Sequence, residues 1–455
     1  MPKFLDEIFS PEQIARDDDS LNNWGRDWTR DKTPAPSAVV FPRSAEEVQA
    51  LVRKAGEERT ALVPSGGRTG LSGGAVAANS EVVVSFDKMN RILDFDATDR
   101  IVRCEPGVVT AALQTFAAER DLMYPVDFAS SGSSHIGGNI ATNAGGIKVI
   151  RYGLTRDWVT GLSVVTGAGD MLKCNQGLTK NATGYDLRHL FVGSEGTLGL
   201  IVEAEMRLAK AAEPHRVMVL GVPEFPDLLK VLAAFQQEVT LSAFEFFSQI
   251  ALDKVRAHRD LSEPLSAATN FYALLEFDNS AEESAMAAFT RVLEEGWVTD
   301  GVLSQSDAQA AALWQLREGI SESISVFTPY KNDLAVKVSV LPEFLTKVTD
   351  CVQNAYPDYE VCWYGHIGDG NLHLNILKPE ALSIEEFYAN CGQISPQIFA
   401  LVEAVGGSIS AEHGVGTLKA DYLQYSRSSE QIAVMRGLKG LFDPHGIMNP
   451  GKLLA

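Results

Sequence analysis

Two short segments hold most of the residues in this chain that could do chemistry. One is Gly365-His-Ile-Gly-Asp-Gly-Asn-Leu-His-Leu-Asn-Ile376, and the other is Ser410-Ala-Glu-His-Gly-Val-Gly416. Together they gather three of the eight histidines, with Glu412 and Asn375 as the acid and the amide singled out. The first segment follows an apolar strand. His366 falls near a turn, and His373 and Asn375, two apart on a strand, face the same side. Two histidines and a glutamate are a common Zn²⁺ ligand set that leaves a position open for water or substrate. Mn²⁺, Co²⁺ or Fe²⁺ suit the same donors. The bland alternative is a set of histidines that only hydrogen-bond in a core; the pairing of the two motifs favours a metal.

A second chemistry is written in glycine. Pro64-Ser-Gly-Gly-Arg-Thr-Gly-Leu-Ser-Gly-Gly74 has five glycines in eleven residues. Such a loop turns tightly and brings backbone N–H groups up to phosphate oxygens. It lacks the GK[ST] of an NTP-binding loop, and strict G-x-G-x-x-G is absent from the chain, which argues against a Rossmann nicotinamide site. Two further segments are similarly small and polar: Ser131-Gly-Ser-Ser-His-Ile-Gly-Gly-Asn-Ile-Ala-Thr-Asn-Ala-Gly-Gly146, leading into Arg151-Tyr-Gly, and Phe191-Val-Gly-Ser-Glu-Gly-Thr-Leu-Gly-Leu-Ile-Val202. Three such loops among strands suggest a ligand as long as an adenine dinucleotide. His135 is read as a hydrogen-bonding loop histidine, with a covalent link to the ligand as the alternative.

A third set is cationic. Trp314 to Ser323 reads as a helix on which Arg317 and Ser321, four apart, share a face. After Pro329 comes Tyr330-Lys-Asn-Asp-Leu. Arg317, Ser321 and Lys331 converging would clamp a carboxylate, with Arg as the fork and Lys as the point charge. An exposed helix charge and a solvated lysine are the equal alternative.

The elements that must position these residues follow from periodicity and turn signals. Strands are expected at 38–41, 62–64, 82–86 and 101–104, with a helix capped by Ser44 running to about Glu57 and another over 108–119. Around 209–214 the glycines thin out and a second domain begins, with strands at 217–222, 271–277 and 361–364. The last sixty residues are expected to be mainly helical. The expected divisions are a 1–33 lead-in, a 34–210 cofactor domain, a 211–400 substrate domain and a 401–455 C-terminal segment.

Composition narrows the class. The chain has 455 residues, enough for two or three domains, with 45% hydrophobic and 22% charged residues. A formal net charge of -20 argues against nucleic acid as a partner. Five cysteines without CxxC spacing read as reduced thiols. The N-terminus has neither an apolar h-region nor an Arg-rich transit pattern, and no apolar run reaches the roughly 18 residues of a membrane span. A cytoplasmic enzyme is expected.

The three glycine-rich segments resemble the FAD-binding domain of the vanillyl-alcohol oxidase/p-cresol methylhydroxylase superfamily. With the histidine motifs and the 317–334 stretch, the resemblance extends from Pro34 to Lys452 and points to its D-2-hydroxy-acid dehydrogenase branch. It implies an α+β fold: a two-part FAD-binding domain of the vanillyl-alcohol oxidase type, an α+β substrate domain and a mainly helical C-terminal segment that completes the metal and flavin site. It implies FAD contacts from Pro64, Ser65, Gly66, Gly67, Arg68, Thr69, Gly70, Leu71, Ser72 and Gly73, and from Pro106 and Gly107. It implies more from Ser131, Gly132, Ser134, Gly137, Gly138, Asn139, Thr142, Asn143, Gly145, Gly146 and Tyr152, and from Glu195, Gly196, Gly199, Ile201, Val202 and Asn449. Arg68 and Thr69 stand where some relatives carry a flavin-linked histidine, so FAD is expected to be non-covalent. The resemblance further implies His366, His373 and Glu412 as metal ligands, with Zn²⁺ foremost. Asn375 and His413 would touch substrate, and His413 would serve as general base. The 317–334 stretch is similar to members that oxidise D-2-hydroxyglutarate to 2-oxoglutarate, although Ser321 replaces an expected threonine. D-lactate or glycolate is the alternative substrate. An O₂-using oxidase and a non-catalytic flavin- and metal-binding protein are more distant readings. By family analogy an electron-transfer flavoprotein or a quinone takes the electrons, and a homodimer is the base-rate assembly.

Overall fold

The structure is a computed structural model that describes residues 2–29 and 32–454. The chain forms two compact units. Unit 1 comprises Met1–Gly146, Gly153–Ala211 and Glu412–Ala455; unit 2 comprises Ile147–Tyr152 and Ala212–Ala411. The boundary at 211 falls where the glycines thin out. Two divisions differ from expectation. The N-terminal stretch is part of the core of unit 1, because Phe4, Leu5 and Phe9 are buried there. The chain also rejoins unit 1 at Glu412, eleven residues after the expected start of the C-terminal segment. Met1, Arg30, Asp31 and Ala455 lie outside the described residues.

Unit 1 begins with β1 (Ala38–Val40), α1 (Ala45–Glu57), β2 (Leu62–Ser65) and β3 (Val82–Ser85). Ser44 starts α1, its hydroxyl accepting the Glu47 N–H at 3.2 Å. Strand β3 lies between β1 and β2, parallel to both, and the two-residue strand Ile14–Ala15 adds antiparallel to β1. Strands β1 to β3 are almost wholly buried and rich in Val, as a covered parallel sheet requires. The second sheet is antiparallel, with β4 (Ile92–Asp96), β5 (Ile101–Cys104), β6 (Val159–Thr166), β7 (Met171–Cys174) and β8 (Gly199–Arg207) in the order β4-β5-β8-β6-β7. Helices α2 (Thr110–Ala118) and α3 (Ile136–Thr142) also belong to the unit's first stretch.

Unit 2 is built on seven antiparallel strands. In chain order they are β9 (His215–Val222), β10 (Leu241–Ser248), β11 (Phe271–Asp278), β12 (Asp300–Leu303), β13 (Tyr330–Ala335), β14 (Glu360–Gly365) and β15 (Asn371–Leu377). Their spatial order is β12-β9-β11-β10-β14-β15-β13. One core cluster joins Phe247, Tyr272, Cys362 and Tyr364 of these strands to Leu252, Trp314 and Ile320 of helices. The expected helix through 314–323 breaks into α4 (Asp307–Glu318) and α5 (Ile320–Ser323), with Gly319 between them. In the C-terminal segment the regular helix is α6 (Ser429–Phe442), while the 405–428 stretch is loop and 3₁₀ turn. Glycines at 406, 414 and 416 take positive φ there, which an α-helix cannot continue through. No described helix is long and apolar enough to cross a membrane. The described cysteines are free.

Candidate active site

The three glycine-rich segments meet in unit 1 around one cavity of about 980 Å³, solvent at its mouth included. It is lined by Pro64, Gly66, Gly67, Arg68, Thr69, Gly70 and Ser72 of the first segment, by Pro106, and by Gly137, Gly138, Asn139 and Thr142 of the second. Glu195, Gly196, Gly199 and Ile201 of the third line it too. Ser65, Leu71, Gly73, Gly107, Ser131, Gly132, Ser134, Asn143, Gly145, Gly146, Val202 and Asn449 do not line it, and Tyr152 belongs to unit 2. Lining residues not singled out in the sequence include Asp27, Phe86, Ala141, Ser194 and Leu200. Asp27 had no legible signal in a polar lead-in, yet it is buried, and burial raises its pKa. His135 also lines the cavity, and desolvation lowers its pKa.

The cavity wall suits a phosphorylated group. The consecutive N–H groups of Gly66, Gly67, Arg68, Thr69 and Gly70 donate to no protein group among the described residues. Arg68 holds φ at +60° within that run. Exposed N–H groups on a glycine-rich bend form an anion-binding concavity. Two polar side chains tie the third segment to the first and to the C-terminal stretch. Asn449 donates to the carbonyls of Gly74 at 2.9 Å and Glu195 at 2.7 Å. Glu195, at φ +52°, accepts the N–H groups of Val415 and Gly416 at 2.7 Å each. Its pKa is raised by burial, against the pull of those two donors. Those bonds fix the loop that carries Glu412 and His413, and Gly146 N–H donates to Glu412 Oε2 at 3.0 Å.

In unit 2 the sheet register collects the second constellation. Across β13 and β15, Lys331 pairs with Asn375 and Asp333 with His373; across β14 and β15, Tyr364 pairs with His373. Cross-strand partners and residues two apart share a face, so Lys331, Asp333, Tyr364, His373 and Asn375 stand on one side of the sheet. Lys331 Nζ donates to Ser321 Oγ at 2.9 Å. Among the described residues Lys331 has no carboxylate partner, and desolvation lowers its pKa. Tyr364 was missed in the sequence, where an aromatic residue at a strand end carries no signal. Burial pushes its hydroxyl up to about 12, opposed by the charge of Arg317 and by hydrogen bonds to Ser321 and Asn375. The Arg317 guanidinium lies 4.8 Å from the Tyr364 ring centre. Arg317, Ser321, Lys331 and Asn375 are therefore brought together around Tyr364.

The two histidines of the first motif also converge, with ring centres 5.3 Å apart. His366 Nδ1 is 2.8 Å from Glu245 Oε1, and His373 Nδ1 is 3.6 Å from Asp333 Oδ1. Both rings thus turn Nδ1 towards a carboxylate, so Nε2 is the nitrogen each could offer a metal. Glu245 was also missed. Its signal was a lone acid inside the apolar run Phe244-Glu-Phe-Phe247, where a buried carboxylate demands a partner. Glu412 and His413 belong to unit 1.

Residues 36–175 match the family described as FAD binding domain, and residues 211–453 match FAD linked oxidases, C-terminal domain. The chain is 57% identical over 460 residues to the D-2-hydroxyglutarate dehydrogenase of Stutzerimonas stutzeri strain A1501, spanning 100% of this chain and 99% of that protein. It is 38% identical over 452 residues to the mitochondrial D-2-hydroxyglutarate dehydrogenase of Bos taurus, spanning 98% of this chain and 81% of that one. Among solved structures, p-cresol methylhydroxylase with substrate bound is similar at a TM-score of 0.74 and 16% identity, covering 99% of this chain and 95% of the other. At that identity the likeness speaks to the fold alone.

Proposed function

This chain belongs to the FAD-linked oxidase family and is an FAD-dependent oxidoreductase, and from that premise we propose that it oxidises D-2-hydroxyglutarate to 2-oxoglutarate. The observation that carries the substrate is the gathering of Arg317, Ser321, Lys331 and Asn375 around Tyr364 on one sheet face. Two cations and three neutral hydrogen-bonding groups in one place suit a carboxylate. A lysine without a carboxylate partner among the described residues suits the second carboxylate of a dicarboxylic acid.

FAD bound non-covalently in the unit 1 cavity supplies the two-electron acceptor for the hydride leaving C2. A divalent ion, Zn²⁺ foremost, held by His366, His373 and Glu412 supplies a Lewis acid for the C2 hydroxyl. The convergence of two histidine rings, each with a carboxylate on its Nδ1 side, fits such a donor set. The chain's own groups do the rest. Arg317 and Lys331 hold the distal carboxylate, with Ser321 steering the lysine. Asn375 orients the reacting end. His413 takes the proton from the C2 hydroxyl oxygen, a transfer suited to imidazole. The N–H groups of Gly66 to Gly70 would hold the cofactor's pyrophosphate, and Asn449 ties Gly74 to Glu195. Family resemblance extends the proposal to an electron-transfer flavoprotein or a quinone as acceptor, to a homodimer and to a cytoplasmic location.

Anaerobic flavin bleaching across a substrate panel tests the reading. D-2-hydroxyglutarate should bleach the 450 nm band faster than D-lactate or glycolate, and the L-enantiomer should not. Faster bleaching by D-lactate would move the assignment to a monocarboxylate, and no bleaching by any hydroxy acid would leave a flavin-binding module. Chelation should stop turnover and leave the protein yellow; full activity in metal-free enzyme would remove the metal from the proposal.

A further inference from the structure

Glu245 lies inside β10 and is 1% exposed. An unpaired carboxylate at such a depth is strongly disfavoured. This one has two partners of different kinds. Its Oε1 is 2.8 Å from Nδ1 of His366, a proposed metal ligand, and its Oε2 is 2.8 Å from Nη2 of Arg317, a proposed substrate cation. A carboxylate facing Nδ1 favours the tautomer with the ring hydrogen there, whose ligand atom for a metal is Nε2. On the other side, the Arg317 guanidinium is held between the Glu245 carboxylate and the Tyr364 ring. Asp333 offers a looser version of the first role only. It stands 3.6 Å from His373 Nδ1 and is itself fixed by Asn371 Nδ2 at 2.8 Å and the Ala411 N–H at 2.9 Å.

We propose, resting on the function above, that Glu245 is a positioning residue that couples the metal to recognition of the substrate. One buried carboxylate sets His366 to present Nε2 and at the same time aims Arg317. A merely structural ion pair would show only in stability. A coupling residue moves metal affinity and substrate KM together.

The test compares wild-type holoenzyme with Glu245→Gln and Glu245→Asp. Flavin content and thermal unfolding report folding. Zn²⁺ affinity is read by competition with a chromophoric chelator, and KM and kcat are read with D-2-hydroxyglutarate and D-lactate. In folded, flavin-loaded Glu245→Gln, Zn²⁺ affinity should fall roughly 10- to 100-fold, and KM for D-2-hydroxyglutarate should rise more than KM for D-lactate. Glu245→Asp, whose shorter side chain cannot hold both partners, should lie between. A folded Glu245→Gln with wild-type Zn²⁺ affinity and wild-type KM would overturn the proposal. Should Glu245→Gln fail to fold, unchanged Zn²⁺ affinity and KM in Glu245→Asp would overturn it equally. A wild-type enzyme that binds no Zn²⁺ or shows no dicarboxylate preference would refute the functional reading itself, an outcome distinct from either of these.

Discussion

The residues that a reading of the sequence singles out one by one are those whose chemistry is conspicuous in their surroundings. His366 and His373 stand out among glycines, and Lys331 follows a proline and a tyrosine at the start of a strand. Tyr364 and Glu245 were not legible, because what distinguishes them is the company they keep across β10, β14 and β15, and a ladder between distant strands leaves no mark on spacing. Lys331 also carries the sharpest residue-level prediction. Replacing it with methionine keeps the stem and removes the charge. A hydrogen bond to a charged group is worth about 1.5–3 kcal/mol, so kcat/KM for D-2-hydroxyglutarate should fall on the order of 10- to 100-fold, with little change for D-lactate. An equal loss on both substrates would take Lys331 out of the clamp. The pH profile follows from the same group. Desolvation lowers its pKa, and the clamp needs the protonated form. As pH rises through that lowered pKa the charge is lost. The kcat/KM for the dicarboxylate should therefore decline on the alkaline side before an ordinary lysine, with a pKa of about 10.4, would titrate. Lys331→Met should lack that limb.

At the scale of elements, the strands and capped helices of unit 1 lie within a residue or two of where apolar runs and turn signals place them: Ala38–Val40, Ala45–Glu57, Leu62–Ser65, Ile101–Cys104. Their boundaries are set locally, by Ser44 as cap and by prolines and glycines as stops, so they can be read locally. How the three glycine-rich segments lie against one another could not be read. They dock through backbone. A Cβ at Gly67 would overlap the Ser133 carbonyl oxygen and come within 2.8 Å of Ser134 Cα, and one at Gly196, where φ is +71°, would come within 2.5 Å of Pro64 Cγ. Gly67 has an ordinary φ, so its glycine is required by this close approach alone. Gly67→Ala must push the first segment off the second, a form of overpacking that costs about 1–3 kcal/mol. It also displaces the N–H groups proposed to hold the cofactor. The variant should purify with substoichiometric flavin and a lowered melting temperature, and added FAD should restore part of the melting temperature by mass action. Full flavin content would show that the contact is not needed to shape the cavity.

At the scale of the whole molecule, the division near residue 211 was visible because glycine usage changes there, but the composition of unit 1 was not. That unit is assembled from three stretches of chain, the last beginning at Glu412. Nothing periodic announces that Ile447 and Met448, 2% and 0% exposed, belong to the same core as Leu5, Val40 and Leu62. The tail is bound along β2 like an added strand: Leu62 N–H donates to Ile447 O and Asn449 N–H to Leu62 O, each at 2.8 Å. Buried Asp443 accepts the N–H groups of Ile447 at 3.0 Å and Met448 at 2.9 Å, which fixes the turn from α6 into the tail. Removing a large buried aliphatic side chain costs about 2–5 kcal/mol, and a domain has about 5–15 kcal/mol in all. A chain ended after Phe442 loses two such side chains, the strand-like pairing with Leu62 and the Asn449 brace, while keeping Glu412, His413 and all of unit 2. It should therefore lose flavin at 450 nm, bind a hydrophobic dye and self-associate on gel filtration. A truncated chain that stays yellow, monodisperse and thermally unchanged would show that the tail only covers unit 1 and does not help to build it.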